Sequence, residues 1–262
     1  MATLNDCAVG DIVKLYVGGV LTEFIVVQKG YPSGDAVDYH SSTNAIWLMM
    51  KDIHCLMPWG ERGDDYEMSD VHSYLNNTFL NLLGSDVRGQ IVRARIPYTD
   101  GYSSDSIDDG TKGLQTYAFL LAYNEISTSE SDDYNAEGLQ IEFFSDGASA
   151  TRIAYFNGTA TRWWTRTHYT SNALRVRSIT DKGAGSYNNV TDSFGVRPVI
   201  ILPKATVVTD GIIGTEPSAF SGHATIDGVS KDLSGAHANI GGVWKEVSGA
   251  YMNVDGAWKP MA

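Results

Sequence analysis

The sequence predicts a mixed α+β domain followed by a small all-β tail. Three observations carry this reading. Up to Pro203 the chain is cut into short apolar runs by clusters of Gly, Asn, Asp and Ser, the pattern of strands and turns. One stretch inside that region carries helical periodicity instead. Past Pro203 the composition changes, and the chain closes on a segment that repeats every fourteen residues.

The elements follow in order. "DIVKLYV" and "VLTEFIVV" flank Gly18-Gly19 and predict a hairpin over residues 11–28, because a two-residue turn requires positive φ. "AIWLMM" at 45–50 predicts a short apolar strand. Ser69 is placed to cap a helix whose Val71, Leu75, Phe79, Leu82 and Leu83 share one stripe, with Gly84 as its stop. Ser85 is placed to cap a shorter helix reaching Ile91, and "VRARIPY" reads as a strand-like exit. "YAFLLAY" predicts a buried strand between two acidic, serine-rich loops at 99–113 and 127–138. "LQIEFF" at 139–144 and "TRIAYFN" at 151–157 predict two more strands. Residues 161–203 predict strands around a loop rich in Gly, Asn and Ser. The domain expectation is therefore 1–205 as the main domain, 206–222 as a linker, and 223–262 as three hairpin repeats.

Bulk properties exclude several classes. Of 262 residues 43% are hydrophobic, enough for a core, while 19 Lys and Arg face 31 Asp and Glu for a net charge of −12. A phosphate-binding surface needs clustered positive charge, and no basic run exists, so no nucleic-acid partner is expected. Acidity also disfavours an anionic membrane surface, and the longest apolar runs, such as 196–203, are too short to span a bilayer. Cys7 and Cys55 make neither a disulfide framework nor a zinc quartet. The N-terminus lacks the charged-then-apolar order of a signal peptide. The expectation is a protein made in a host cytoplasm without a secretion signal, reaching the outside by lysis or as part of a particle.

Most catalytic motifs fail. The loop from Asp105 to Gly110 approaches a calcium loop but has Ile107 at the third place, where an oxygen ligand is required, and Thr116 at the twelfth, where a Glu is required. The six histidines form no i, i+4 pair, so no metal and no cofactor is expected. No Gly-x-Ser-x-Gly elbow occurs. What stands out is Trp163-Trp164-x-Arg166 followed by Gly195-Val-Arg197-Pro198. Adjacent strand residues face opposite ways, so one tryptophan is expected inward and the other outward or under a loop cover. Arg166 and Arg197, in apolar company, need acceptors.

The ordered set "WLMMKDI", "YEMSDVHSYLNNTFLNLL", "RARIPY", "AFLLAYNEI", "RIAYFNG", "WWTRT" and "GVRPVIILP" resembles a family of uncharacterised domains in firmicute proteins and their phages and prophages. That family in turn resembles the C-type lectin-like fold, the scaffold of formylglycine-generating enzymes and of hypervariable binding proteins. The resemblance spans roughly residues 10–203. It implies a fold more firmly than an activity. Formylglycine chemistry rests on cysteine and copper, and neither Cys7 nor Cys55 lies in a matching motif, so that activity is not carried over.

In the tail, His223, His237 and Tyr251 align, as do Gly228, Gly242 and Gly256, and Lys231, Lys245 and Lys259. Its "NIGGVWKEV" unit resembles the C-terminal segments of tail and fibre proteins of phages infecting firmicutes. A two-residue turn at Gly241-Gly242 pairs Ile240 with Val243 and Asn239 with Trp244. One face then carries Ala238, Ile240 and Val243; the other carries His237, Asn239, Trp244 and Glu246. A lone hairpin is marginal in water, so the apolar face needs a partner, which identical chains could supply. The opposite face, Trp beside Asn, offers sugar-stacking chemistry. Both roles stay open.

The functional expectation is a non-enzymatic virion protein of a phage tail or fibre. Its lectin-like domain would touch a host-surface glycan or protein, with other virion proteins as partners and a homo-oligomer, taken as a trimer, as its assembly. The expected ligand contacts lie on an irregular stretch at 167–193, at His168, Tyr169, Asn172, Tyr187, Asn188 and Asn189, with Trp244 and Trp258 of the repeats beside them. The alternatives are a ligand-free structural joint and an enzyme built on Arg166, His168 and Asp192.

Overall fold

The computed structural model describes residues 1–30, 45–62, 65–100, 107–108, 112–126, 137–169 and 172–216, and beyond them the paired backbone of six strands within 222–260. Two compact units result, Met1–Thr215 and Glu216–Ala262.

The first unit is mixed α+β, mostly strands with few and short helices. Eleven strands make its two main sheets. In chain order they are β1 (Ile12–Val17), β2 (Val20–Lys29), β3 (Ala45–Met50), β4 (Cys55–Met57), β5 (Ala118–Phe119), β6 (Trp163–His168), β7 (Arg175–Ile179), β8 (Gly185–Asn189), β9 (Phe194–Val196), β10 (Val199–Pro203) and β11 (Ile212–Ile213). The larger sheet runs β5-β10-β3-β2-β1-β11 and the smaller β8-β7-β6-β9-β4. The pairs are antiparallel except β11 on β1 and β9 on β6.

The β1–β2 hairpin turns on Gly18 and Gly19, both at positive φ (58° and 81°), with Val17 opposite Val20. A Cβ is unfavourable there, so the glycine pair sets the turn and the register. β1 alternates buried and half-exposed residues, as a strand with one wet face should. β3 lies between β2 and β10, and all six of its residues are buried, so its run reads as continuous rather than alternating.

The two sheets are joined at one corner, where β3 passes into β4 while β9 passes into β10. Two backbone bonds stitch these passages together, Met50 N–H to Pro198 C=O (2.9 Å) and His54 N–H to Val196 C=O (2.9 Å). Arg197 clamps them: Nε donates to Met50 C=O (3.3 Å) and Nη2 to Lys51 C=O (2.7 Å), with the guanidinium 4.7 Å from the Trp163 ring centroid. Burial pulls this guanidinium below its usual range, and Asp52 partly offsets that. Gly195 completes the motif, because a Cβ there would sit 2.6 Å from the Ile53 side chain. "GVRP" is thus the corner that curls the sheet.

Trp163 and Trp164 are both buried, the covered alternative of the sequence expectation, because β6 is packed on both faces; their Nε1 groups donate to Arg152 C=O (2.9 Å) and Met57 C=O (3.1 Å). Two sequence expectations are corrected. Residues 139–144 contain a 3-10 turn, Glu142–Phe144, and 151–157 begin in the helical turn Ser149–Arg152 before the two-residue strand Tyr155–Phe156. Of the "YAFLLAY" run only Ala118–Phe119 is strand, and Tyr123–Ile126 is helical.

The amphipathic helix forms with Ser69 as its cap, its side chain accepting from His72 N–H (3.0 Å). It runs from Asp70–Tyr74 through a π-helical turn, Leu75–Phe79, into Leu80–Leu82. The π turn holds one extra residue, which rotates the later stripe. Leu80 and Leu83 are therefore buried, while Leu82 is only half-buried. The next helix is Ser85–Arg88, and its cap is Gly84 rather than Ser85.

The compact unit reaches past residue 205. Ala2–Thr3 pairs with Val207–Val208, β11 joins β1, and Asp86 accepts from Thr215 N–H (2.8 Å). The second unit contains three two-stranded hairpins. Their registers set Thr225 opposite Ser230, Asn239 opposite Trp244, and Asn253 opposite Trp258. Among the described residues no helix is long and apolar enough to cross a membrane.

Candidate functional site

The site is built outward from β6. All six residues of this strand are buried, including Thr165, Arg166, Thr167 and His168. Buried polar groups need partners, and Thr165, Arg166 and Thr167 have them; Thr165 Oγ1 donates to Arg177 C=O (2.8 Å). Arg166 grips Glu125 with two bonds of 2.7 Å and also donates to Pro97 C=O and Leu120 C=O (3.0 Å each). Glu125 also accepts from Ala122 N–H (2.7 Å). Thr167 Oγ1 accepts from Tyr123 N–H (2.9 Å) and donates to Glu137 (2.7 Å), whose other oxygen accepts from Thr99 N–H (2.7 Å). Burial pushes the Glu137 carboxyl up, against Arg166 and the hydrogen bonds from Thr167 and Thr99. This network ties the segments around 97–99, 120–125 and 137 to one strand.

On that base the β7–β8 hairpin presents two unlike faces. The register sets Arg175 opposite Asn189, Arg177 opposite Tyr187 and Ile179 opposite Gly185. Residues paired this way share a face. The Arg175 guanidinium lies 5.1 Å from the Tyr187 ring centroid, and Arg177 lies 5.2, 5.4 and 5.7 Å from the rings of Tyr123, Tyr169 and Tyr187. Tyr169 and Tyr187 stack at 4.5 Å with 24° between planes. Arg177 is buried beneath these rings, while Tyr187 is 40% exposed. Each desolvated cation–π contact is worth about 1–2 kcal/mol, so the rings are held rigidly. Gly185 makes room, because a Cβ there would fall 1.8 Å from the Tyr123 hydroxyl.

The opposite face is a polar knot. Arg162 donates to Ser186 Oγ (2.9 Å) and to Asn188 Oδ1, which also accepts from Ser178 Oγ (2.9 Å). The Arg162 guanidinium lies 5.3 Å from the Phe194 ring centroid.

The sequence-expected residues are therefore dispersed. Tyr169, Tyr187 and the exposed Asn189 come together on one face. Asn188 is on the other face, holding Arg162. His168 is buried in β6, and Asn172 closes a turn by accepting from Leu174 N–H (2.8 Å). Trp244 and Trp258 are described only by strand register. Among the described residues of 167–193, the end of β6 is followed by β7 and β8, so the expected irregular stretch contains regular strands. Most of the acidic loop at 105–110 lies outside the described residues, and among those described no cluster of three His, Cys, Asp or Glu could hold a metal. Sequence reasoning missed Arg175, Arg177 and Tyr123. The available signal was R-x-R against Y-x-N, two period-two strands across a turn containing Gly183 at positive φ.

The family described as "Domain of unknown function (DUF6273)" matches residues 44–204, more than half of the chain. The chain belongs to the DUF6273 family. No curated protein and no solved structure matches it. The DUF6273 segment contains the tyrosine–arginine face, the Arg166–Glu125 pair and the Arg197 corner. It excludes β1, β2 and β11, half of the larger sheet, and it excludes the hairpin repeats. The DUF6273 part thus holds the candidate site whole but needs its flanks to finish the fold.

Proposed function

We propose that this DUF6273 protein is a virion component of a phage tail or fibre that contacts a host surface. In this reading the first unit is a C-type lectin-like binding domain, and the hairpin repeats mediate assembly of identical chains with other virion proteins. The observation that carries the binding reading is Tyr187, half-exposed and stacked on Tyr169 above a buried Arg177. A rigid aromatic plane beside Asn189 suits stacking on a sugar ring or packing on a polar protein patch. The assembly reading rests on the fourteen-residue repeat and its resemblance to phage tail and fibre segments. No enzymatic step belongs to it, and the full engagement of Arg166 with Glu125 and two carbonyls supports that choice.

A single site of this kind binds at the order of millimolar, about −4 kcal/mol. Adhesion then depends on many copies, which add on the order of 10²–10⁴ in avidity. The test replaces Tyr187 and Asn189 together by alanine and leaves Asn188 in place, because Asn188 holds Arg162. The variant should stay folded but lose about 1–3 kcal/mol, because Tyr187 stacks on Tyr169 and faces Arg175 and Arg177. Adsorption of multivalent particles to host cells should drop at least about tenfold. Unchanged adsorption with intact folding would reject this surface and favour the ligand-free joint.

A further inference from the structure

A second concavity shares no residue with the tyrosine face. It is a cleft of about 480 Å³ lined by Asn76, Leu80, Asn81, Arg88, Ile91 and Tyr117. That size is within the range of small-ligand pockets. Its floor is apolar, since Leu80 and Ile91 are buried, while Tyr117 stands 44% exposed as one wall. Two guanidinium groups attend it. Arg88 lines the cleft, and Arg93 lies 5.8 Å from the Tyr117 ring centroid. On a chain with 31 acidic residues, neither forms an ion pair among the described residues. Arg88 donates one bond to Asn81 Oδ1 (2.6 Å), which aims the fork and leaves its other donors for a ligand.

An independent observation points the same way. The helix that forms one side carries its π turn at Leu75–Phe79, next to the cleft. Such turns are uncommon, lower in stability than regular helix, and concentrated at functional sites. Here the turn positions Asn76, whose carboxamide accepts from Thr116 Oγ1 (3.1 Å), Tyr117 N–H (3.2 Å) and Ala118 N–H (3.2 Å) and donates to Ala118 C=O (2.9 Å). The side chain is saturated by these bonds, so its effect is to hold the Tyr117 backbone. Asn76 is a positioning residue for the aromatic wall.

We propose that this cleft binds an anionic saccharide, a sugar or polyol carrying a carboxylate or a phosphate. The ring would pack on Tyr117, Leu80 and Ile91. The anion would take charge-assisted bonds from Arg88, and Asn81 would meet hydroxyl groups. This site is additional to the tyrosine face and does not rest on it. The long-range field of an acidic chain repels such ligands, so binding is local, salt-sensitive and weak in a single copy.

The test titrates the full chain with glucuronic acid, glycerol 3-phosphate and glucose, read by chemical-shift changes or calorimetry. At least one anion should bind about tenfold tighter than glucose, because the charge-assisted bonds exist only for the anion. The preferred anion identifies the source as a uronate or a polyol phosphate. Arg88→Ala should weaken anion binding about tenfold and Asn81→Ala about threefold, Arg88→Lys should recover part of the Arg88 loss, and Tyr187→Ala should leave it unchanged. Arg88 and Asn81 are exposed, so their variants should fold. Equal binding of glucose and both anions, or unchanged binding in Arg88→Ala, would overturn the proposal. Loss in Tyr187→Ala alone would assign the ligand to the tyrosine face instead.

Discussion

β6 and β8 lie two strands apart in one sheet and place polar residues in opposite ways. β6 is its centre, and its polar side chains are sealed: Arg166 is held by Glu125 and two carbonyls, Thr167 by Glu137. β8 is its edge, and its residues alternate between exposed and half-buried. The same chemistry thus serves construction at the centre and presentation at the edge. Arg166 and Arg177 mark the contrast. The first is neutralised by a carboxylate, and the second lies against three tyrosine rings, one of which is open to solvent. An edge strand with exposed polar and aromatic residues can meet a ligand without unfolding anything.

The largest test removes the centre. Arg166→Ala leaves Glu125 buried without its partner, and breaking a buried pair this way costs about 3–5 kcal/mol. Urea denaturation should show that loss as a lower midpoint, and a loss below about 1 kcal/mol would mean the network is not what fixes the surrounding segments. A smaller effect is expected at the boundary between the two regions. Gly185→Val drives a side chain into the Tyr123 hydroxyl and should cost about 1–3 kcal/mol while disturbing the tyrosine near-UV signal. A neutral outcome there would mean that the face tolerates a shifted Tyr123.

The smallest effect is a slope. Burial raises the Glu137 carboxyl above its ordinary 4.5, so above that pH the folded state keeps a proton that the unfolded chain has lost. Stability then falls as pH rises from 4.5 toward the native value. Glu137→Gln cannot titrate, so its melting temperature should vary less across that window than the parent's. Parallel profiles for the two proteins would show that Glu137 is not the titrating group.

Much of the frame was legible because its signals are local. Gly18-Gly19 sets a turn by backbone sterics, and Ser69 caps a helix from three residues away. The repeat register follows from Gly241-Gly242 and the period-two rule, and it pairs Asn239 with Trp244 as expected. Other features depend on distant partners. The 139–144 run has a strand's composition, yet it adopts a 3-10 turn that Gln28 holds by accepting from Glu142 N–H (2.8 Å) across 114 positions. The extra residue of the π turn was invisible as well, because Asn76 acts through Thr116 and Ala118.

The candidate face divides along the same line. The sequence by itself determined that the chain is a mixed α+β domain with a repeat tail. It also determined that Tyr169, Tyr187 and Asn189 lie in one polar, aromatic stretch, since composition and turn chemistry act over a few residues. Only the tertiary structure decided that His168 is buried, that Asn188 turns inward to Arg162, and that Arg177 and Tyr123 complete the stack. The reason is that a strand's alternation says which residues share a face but not which face meets water. That choice belongs to whatever packs against the sheet, and here it is the segments drawn onto β6 by Arg166, Thr167 and Glu137.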